Sequence, residues 1–266
     1  MIQTVVLAVN PTKDPDLSYA RSVEKAFSDR GLAVRITDAL HPERCAEADL
    51  AVVLGGDGTI LSVASACATG SVPVLGINLG TVGFMAELEK DEAIPVDRLL
   101  SGDYFLEDRM MLETLFNGKD PLYSLNECCV SLDHGFHILT MDLYLGEKKL
   151  CGFKADGVIF STPTGSTGYS FSAGGALVDS RLDSIGVKAI CPYMLRGAHH
   201  LLFSPDTVLT VKNICTHSGR LYASSDGREE REVLENTVLT VRRAAKPLQL
   251  VRFGDRSNIE IFFQKF

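Results

Sequence analysis

Three stretches of this chain hold the residue types that act on phosphates and sugars. The first is Leu54-Gly55-Gly56-Asp57-Gly58-Thr59. Gly55, Gly56 and Gly58 allow a phosphate to approach the main chain closely, and a helix starting at this point would offer free N–H groups to an anion. A carboxylate in such a loop would repel phosphate unless it has another task. Asp57 could accept a proton from an attacking hydroxyl or help hold Mg²⁺ against phosphates. The plainer alternative is a tight turn in which Asp57 caps the following helix. The loop is not a Walker A sequence, because no Gly-Lys-Ser/Thr follows, and its spacing is not G-x-G-x-x-G. The second stretch is Asn126-Glu127, an amide beside a carboxylate, able to read a base edge and bind ribose hydroxyls, or else a solvated strand end. The third runs from Gly152 to Gly175, where an apolar strand enters a loop rich in glycine and hydroxyls. There Tyr169 could stack on a purine.

The elements around these stretches follow from hydrophobic patterning. Val5 to Val9 is continuously apolar, as expected of a strand buried on both faces. Asp16 to Arg30 reads as a helix, with Leu17, Ala20, Val23 and Phe27 on one face and Gly31 as its stop. Val34 to Thr37 and Leu50 to Leu54 read as strands, Thr59 to Ala68 as a helix and Val72 to Asn78 as a strand. The glycine loop therefore sits directly after a buried strand, where ligands bind in open α/β sheets. The alternation implies a parallel sheet with right-handed crossovers. Near Ser101 the rhythm changes to short alternating strands, among them Leu139 to Leu145, Lys149 to Phe153, Val208 to Lys212 and Thr237 to Arg242. The organisation expected is a Rossmann-like α/β domain over 1–100, a β-rich, sandwich-like domain over 101–245, and a segment 246–266. The apolar residues of Ile259 to Phe266 predict that this last segment packs back on the N-terminal domain.

Bulk properties narrow the class. With 266 residues and 45% hydrophobic content the chain can bury a real core. A formal net charge of −8 opposes a general nucleic-acid or membrane-surface binder, since those need basic patches. No apolar run is long enough for a membrane span, and the N-terminus lacks a signal-peptide pattern. The odd count of seven cysteines, with no Cys-x-x-Cys pair, argues against a disulfide framework or a zinc site and for a reducing cytoplasm.

Taken together, the three stretches resemble the NAD kinase family. Gly55-Gly56-Asp57-Gly58-Thr59 matches its GGDGT signature, and Asn126-Glu127 its Asn-Glu pair. Asp156-Gly157 and Thr162 to Ser170 match its DG…TPTGSTAYS signature. Segments at Gly76 to Phe84, Asp108 to Glu113 and Asp226-Gly227 resemble further family segments in the same order. The resemblance implies an α/β and a β-rich domain with NAD bound between them, ATP or another phosphoryl donor, Mg²⁺ or another divalent ion, and a homodimer or homotetramer. It assigns Asp57 to activation of the 2′-hydroxyl of the adenosine ribose, with Gly55, Gly56, Gly58 and Thr59 as the phosphate loop. Asn126 and Glu127 would bind the NAD sugars and base. Asp156 and the loop Thr167, Gly168, Tyr169, Ser170 and Ser172 would enclose an adenosine. Lys154 stands where the family often has a basic residue, and His137 is a positional match. No resident metal ligand set is implied. The chain departs from the family at Gly168, Ala176, Tyr193 to Leu195, Ala198 to His200 and Arg228, positions that bear on donor choice and subunit packing. Two other readings share the GGDGT loop: a lipid kinase, which would want an apolar acceptor groove, and a dinucleotide-binding regulator without catalysis.

Overall fold

Thr4–Val9 (β1) buries five consecutive side chains, Val5 to Val9, as a strand covered on both faces does. Leu17 to Phe27 places Ala20, Val23 and Phe27 on the buried face of helix α1 (Ser18–Ser28), and Gly31, at φ +80°, follows its end. Then come β2 (Ala33–Asp38), β3 (Leu50–Gly55), helix α2 (Asp57–Gly70), β4 (Val74–Asn78), the short β5 (Leu88–Glu89), α3 (Val96–Ser101) and β6 (Phe105–Arg109). This computed structural model describes residues 2–80, 83–132, 138–193, 199–215, 220–254 and 257–265. The chain divides into two compact units, Met1–Arg109 with Lys246–Phe266, and Met110–Ala245.

The second unit contains β7 (Leu112–Phe116), β8 (Lys119–Ser124), β9 (Glu127–Leu132), β10 (Leu139–Leu145), β11 (Lys148–Ala155), β12 (Gly157–Ser161), a four-residue helix α4 (Tyr169–Ser172), β13 (Ile185–Ile190), β14 (Leu201–Phe203), β15 (Leu209–Cys215), β16 (Leu221–Ser225), β17 (Glu229–Glu232) and β18 (Leu239–Arg243). They form two antiparallel sheets of six strands, ordered β11-β10-β15-β18-β7-β8 and β14-β13-β12-β9-β16-β17. One apolar core joins them, with Met141 and Leu143 from the first sheet and Val158 and Phe160 from the second. This is a β-sandwich.

The chain then returns to the first unit as β19 (Leu248–Arg252) and helix α5 (Asn258–Lys265). The sheet of the first unit runs β2-β1-β3-β4-β19-β6, with β5 beside β4. Its β1, β2, β3 and β4 pairings are parallel, and β19 pairs antiparallel with β6. Two boundaries differ from the sequence reading. Helix α2 begins at Asp57 rather than Thr59, because Gly56 serves as the cap residue. Residues 105–109 belong to the first unit's sheet, because the partner that claims them, β19, lies about 140 positions along the chain. Among the described residues no helix is long and apolar enough to cross a membrane.

Candidate active site

The glycine loop is shaped by contacts from within the first unit. The Thr59 hydroxyl accepts the Gly56 N–H at 3.3 Å and the Asn10 side-chain amide at 3.1 Å. A Cβ at Gly55 would run into the Thr59 side chain, so glycine is required there. At Gly56 a Cβ would meet nothing, so the protein's own packing does not demand glycine at that position. Asp57 is the first residue of α2, half-buried. Its carboxylate turns to a distant segment: the Phe84 N–H donates to Oδ2 at 2.9 Å and to Oδ1 at 3.1 Å, and the Met85 N–H donates to Oδ1 at 3.0 Å. The capping alternative is set aside, since Asp57 lies inside the helix and its oxygens are held by amides of residues 84 and 85. These two N–H donors fix its orientation.

In the second unit, Asn126-Glu127 is held from both sides. The Asp226 carboxylate accepts the main-chain N–H groups of Leu125 (2.8 Å), Asn126 (2.8 Å) and Glu127 (3.0 Å). On the other side, the Thr162 hydroxyl donates to the Leu125 carbonyl at 2.6 Å and the Thr162 N–H to the Asn126 carbonyl at 2.9 Å. Asp226 and Gly227 both adopt left-handed conformations, at φ +51° and +65°, and turn β16 into β17. Aspartate is among the few residues besides glycine that enter this region readily. One Asp-Gly turn thus closes a hairpin and clamps the Asn-Glu segment.

The hydroxyl- and glycine-rich loop packs against this clamp. A Cβ at Gly165 would overlap the Asn126 main chain, and one at Gly168 would come within 3.2 Å of Glu127 Oε2. Burial first, and then the Asp226 charge, push the Glu127 carboxyl up to about 7, against a hydrogen bond from the Tyr169 amide that pulls it down. Burial likewise pushes Asp226 up to about 6, despite its three main-chain donors. Near neutral pH Glu127 therefore has both protonation states available, so it can donate as well as accept. The buried Asn126 Oδ1 and Glu127 Oε2 lack hydrogen-bond partners among the described residues. Buried acceptors of this kind call for a ligand or water that brings donors.

The residues singled out from sequence fall as follows. In the first unit Gly55, Gly56, Asp57, Gly58 and Thr59 share one loop and helix start. In the second, Asn126, Glu127, Gly168 and Tyr169 come together, with Tyr169 exposed at 45% and so open to stacking. Ser170 is fully buried, with its hydroxyl 3.5 Å from that of Ser161, which fits a structural role better than contact with a ligand. Thr167 is half-buried, its hydroxyl donating to the Thr164 carbonyl at 3.3 Å. Lys154, Asp156 and Ser172 are exposed. His137 lies outside the described residues. Sequence reasoning did not single out the Phe84 and Met85 amides, Asn10 or the clamping role of Asp226. Phe84 and Asp226 lie in segments noted from sequence, Gly76 to Phe84 and Asp226-Gly227, but neither pattern shows what its groups contact.

Mg²⁺ commonly takes one or two carboxylates plus substrate phosphates and keeps several waters. Among the described residues no group of three or more His, Cys, Asp or Glu could hold an ion, whereas Asp57 offers a single oriented carboxylate. A single oriented carboxylate of this kind fits an ion that arrives with donor phosphates.

Comparison with known proteins shows the family and the fold. Residues 6–104 match the ATP-NAD kinase N-terminal domain, and residues 125–253 match the ATP-NAD kinase C-terminal domain. The chain is 34% identical over 278 aligned positions to an NAD kinase of Heliobacterium modesticaldum, covering 98% of each protein. It is 37% identical to an NAD kinase of Geobacter sulfurreducens, covering 82% of this chain and 78% of that one. Among solved structures, an Archaeoglobus fulgidus NAD kinase in complex with ATP superposes with a TM-score of 0.82 at 22% identity, covering 99% of this chain and 98% of that one. Yeast NADH kinase complexed with NADH gives the same TM-score and identity, with 99% and 86% covered. These two structures establish the fold, and the domain matches and curated relatives establish the lineage: the chain belongs to the ATP-NAD kinase family.

Proposed function

We propose that the chain transfers the terminal phosphoryl group of ATP, or of another phosphoryl donor, to the 2′-hydroxyl of the adenosine ribose of NAD, giving NADP. Family membership makes it an NAD-phosphorylating enzyme. The observation that carries the acceptor assignment is the pair of unpartnered buried acceptors on Asn126 and Glu127. Ribose hydroxyls and an adenine amino group are donors of the kind they lack. The exposure of the Tyr169 ring supports the reading that it covers a base.

Asp57 takes the proton of the 2′-hydroxyl. The oxygen so activated bonds to the donor's terminal phosphorus, while the bond from that phosphorus to the bridging oxygen breaks and the shortened donor, ADP in the case of ATP, leaves with the electron pair. A ribose hydroxyl is a poor nucleophile at neutral pH, and a positioned base contributes roughly 10²–10⁴-fold. A divalent cation, when bound, supplies neutralisation of donor phosphate charge. Gly56, whose missing side chain leaves open space, and the start of α2 would admit the phosphates. Gly58 is exposed beside them. Lys154 and Asp156 complete the adenosine enclosure, and His137 is a further candidate contact. A homodimeric or homotetrameric assembly and a cytoplasmic location complete the reading.

The test is NADP formation by purified protein with NAD, Mg²⁺ and either ATP or polyphosphate, read by an NADP-specific dehydrogenase. Production with at least one donor is expected. Failure with both donors, with NAD still binding by calorimetry, would replace the kinase reading by that of a dinucleotide-binding regulator.

A further inference from the structure

The amides that hold Asp57 belong to a segment that is itself tied down by buried charge. Arg252, 3% exposed on β19, donates from Nη1 to the Met85 carbonyl at 2.9 Å. The same nitrogen reaches Glu87 Oε2 at 3.2 Å, and Nε donates to Glu107 Oε2 at 2.7 Å. Arg109 pairs with Glu107 at 2.8 Å, so the cluster holds two cations and two anions. Glu87 in turn accepts the Phe253 N–H at 2.8 Å, and the Glu87 N–H donates to the Gly76 carbonyl at 2.9 Å. Met85 is therefore gripped at both ends. Its N–H bonds the Asp57 carboxylate, and its carbonyl bonds the Arg252 guanidinium. Helix α5 adds an aromatic brace, with the Phe262 ring 6.5 Å from that of Phe84.

Buried ion clusters of this kind are weak evidence for stability, because desolvation offsets much of the attraction. A planar fork that meets a carbonyl and two carboxylates at once is, however, well suited to fixing geometry. We propose that Arg252 is a positioning residue for phosphoryl transfer: through Met85 it sets the main-chain amides that orient the Asp57 carboxylate. The C-terminal return of the chain then serves the reaction as well as the fold. This inference rests on the reading of Asp57 as the base.

The test compares Arg252→Lys with Val251→Ala. Lysine keeps the charge but cannot reach Met85, Glu87 and Glu107 together. Val251 is buried on the same strand, and its truncation weakens the unit without touching the fork. Arg252→Lys is expected to lower kcat about tenfold or more, with the NAD dissociation constant within about twofold of the parent. A loss of kcat without a loss of NAD affinity is the signature of a misaligned base rather than of a weakened fold. Val251→Ala should melt earlier yet keep its kcat. Should Arg252→Lys not fold, Arg252→Met combined with Glu107→Gln removes one charge of each sign and is expected to show the same loss of kcat. A folded Arg252 variant with parental kcat overturns the inference, as does an equal loss in Val251→Ala. Normal turnover by Asp57→Asn would instead overturn the reading of Asp57 as the base.

Discussion

Replacing Glu127 by glutamine should make the protein's stability less sensitive to alkali. In the folded chain the Glu127 carboxyl is pushed from 4.5 up to about 7, chiefly by burial and next by the Asp226 charge. Below about pH 4.5 the group is protonated in both the folded and the unfolded chain, and its contribution is constant. Between about 4.5 and 7 the unfolded chain ionises while the folded one holds its proton, so stability falls as pH rises. Above about 7 both are ionised, and the penalty stays at its full value. A displacement of about 2.5 pH units at about 1.4 kcal/mol each gives about 3 kcal/mol. The nearby Asp226, which titrates with Glu127, makes this an upper figure. Glu127→Gln keeps the shape and removes the ionisation. The difference in unfolding free energy, variant minus parent, should therefore grow by about 2–3 kcal/mol in the variant's favour between pH 4.5 and pH 8. Urea unfolding of both proteins across that range measures it. A difference that stays flat to within about 0.5 kcal/mol would refute the argument, because the carboxyl would then titrate alike in both states.

Gly165→Ala should cost about 1–3 kcal/mol, since its Cβ must enter the Asn126 main chain, which cannot swing aside as a side chain would. Thermal melts report the loss, and calorimetry should show NAD binding at least about tenfold weaker. Asp226→Asn keeps the volume but turns an NH₂ group toward main-chain N–H donors. It should cost about 1–3 kcal/mol in urea unfolding and raise the KM for NAD more than it lowers kcat.

What the sequence disclosed follows the range of the interactions involved. The strand Leu50 to Leu54 and the loop after it are local, and apolar continuity followed by Gly-Gly-Asp-Gly places them within a residue or two. The two-domain division shows in the change from helical to alternating periodicity. The Asp57 carboxylate, by contrast, is set by amides 27 and 28 positions away, and the Asn-Glu segment by Asp226, about 100 positions away. No pattern within a dozen residues carries such partnerships. The same holds for Phe105–Arg109, which the sequence reading placed in the β-rich part while its sheet is decided by β19. Ser170 shows the reverse case: a hydroxyl in a ligand-like loop that the fold turns inward.

The central claim is that Asp57 performs the chemistry on an acceptor held elsewhere in the chain. The most direct measurement is turnover and NAD binding of Asp57→Asn side by side. The amide is nearly isosteric, and the Phe84 and Met85 N–H groups that hold the carboxylate remain in the chain. The account predicts NADP formation reduced by about 10²-fold or more, with the NAD dissociation constant within a few fold of the parent. Turnover near the parental rate would contradict it.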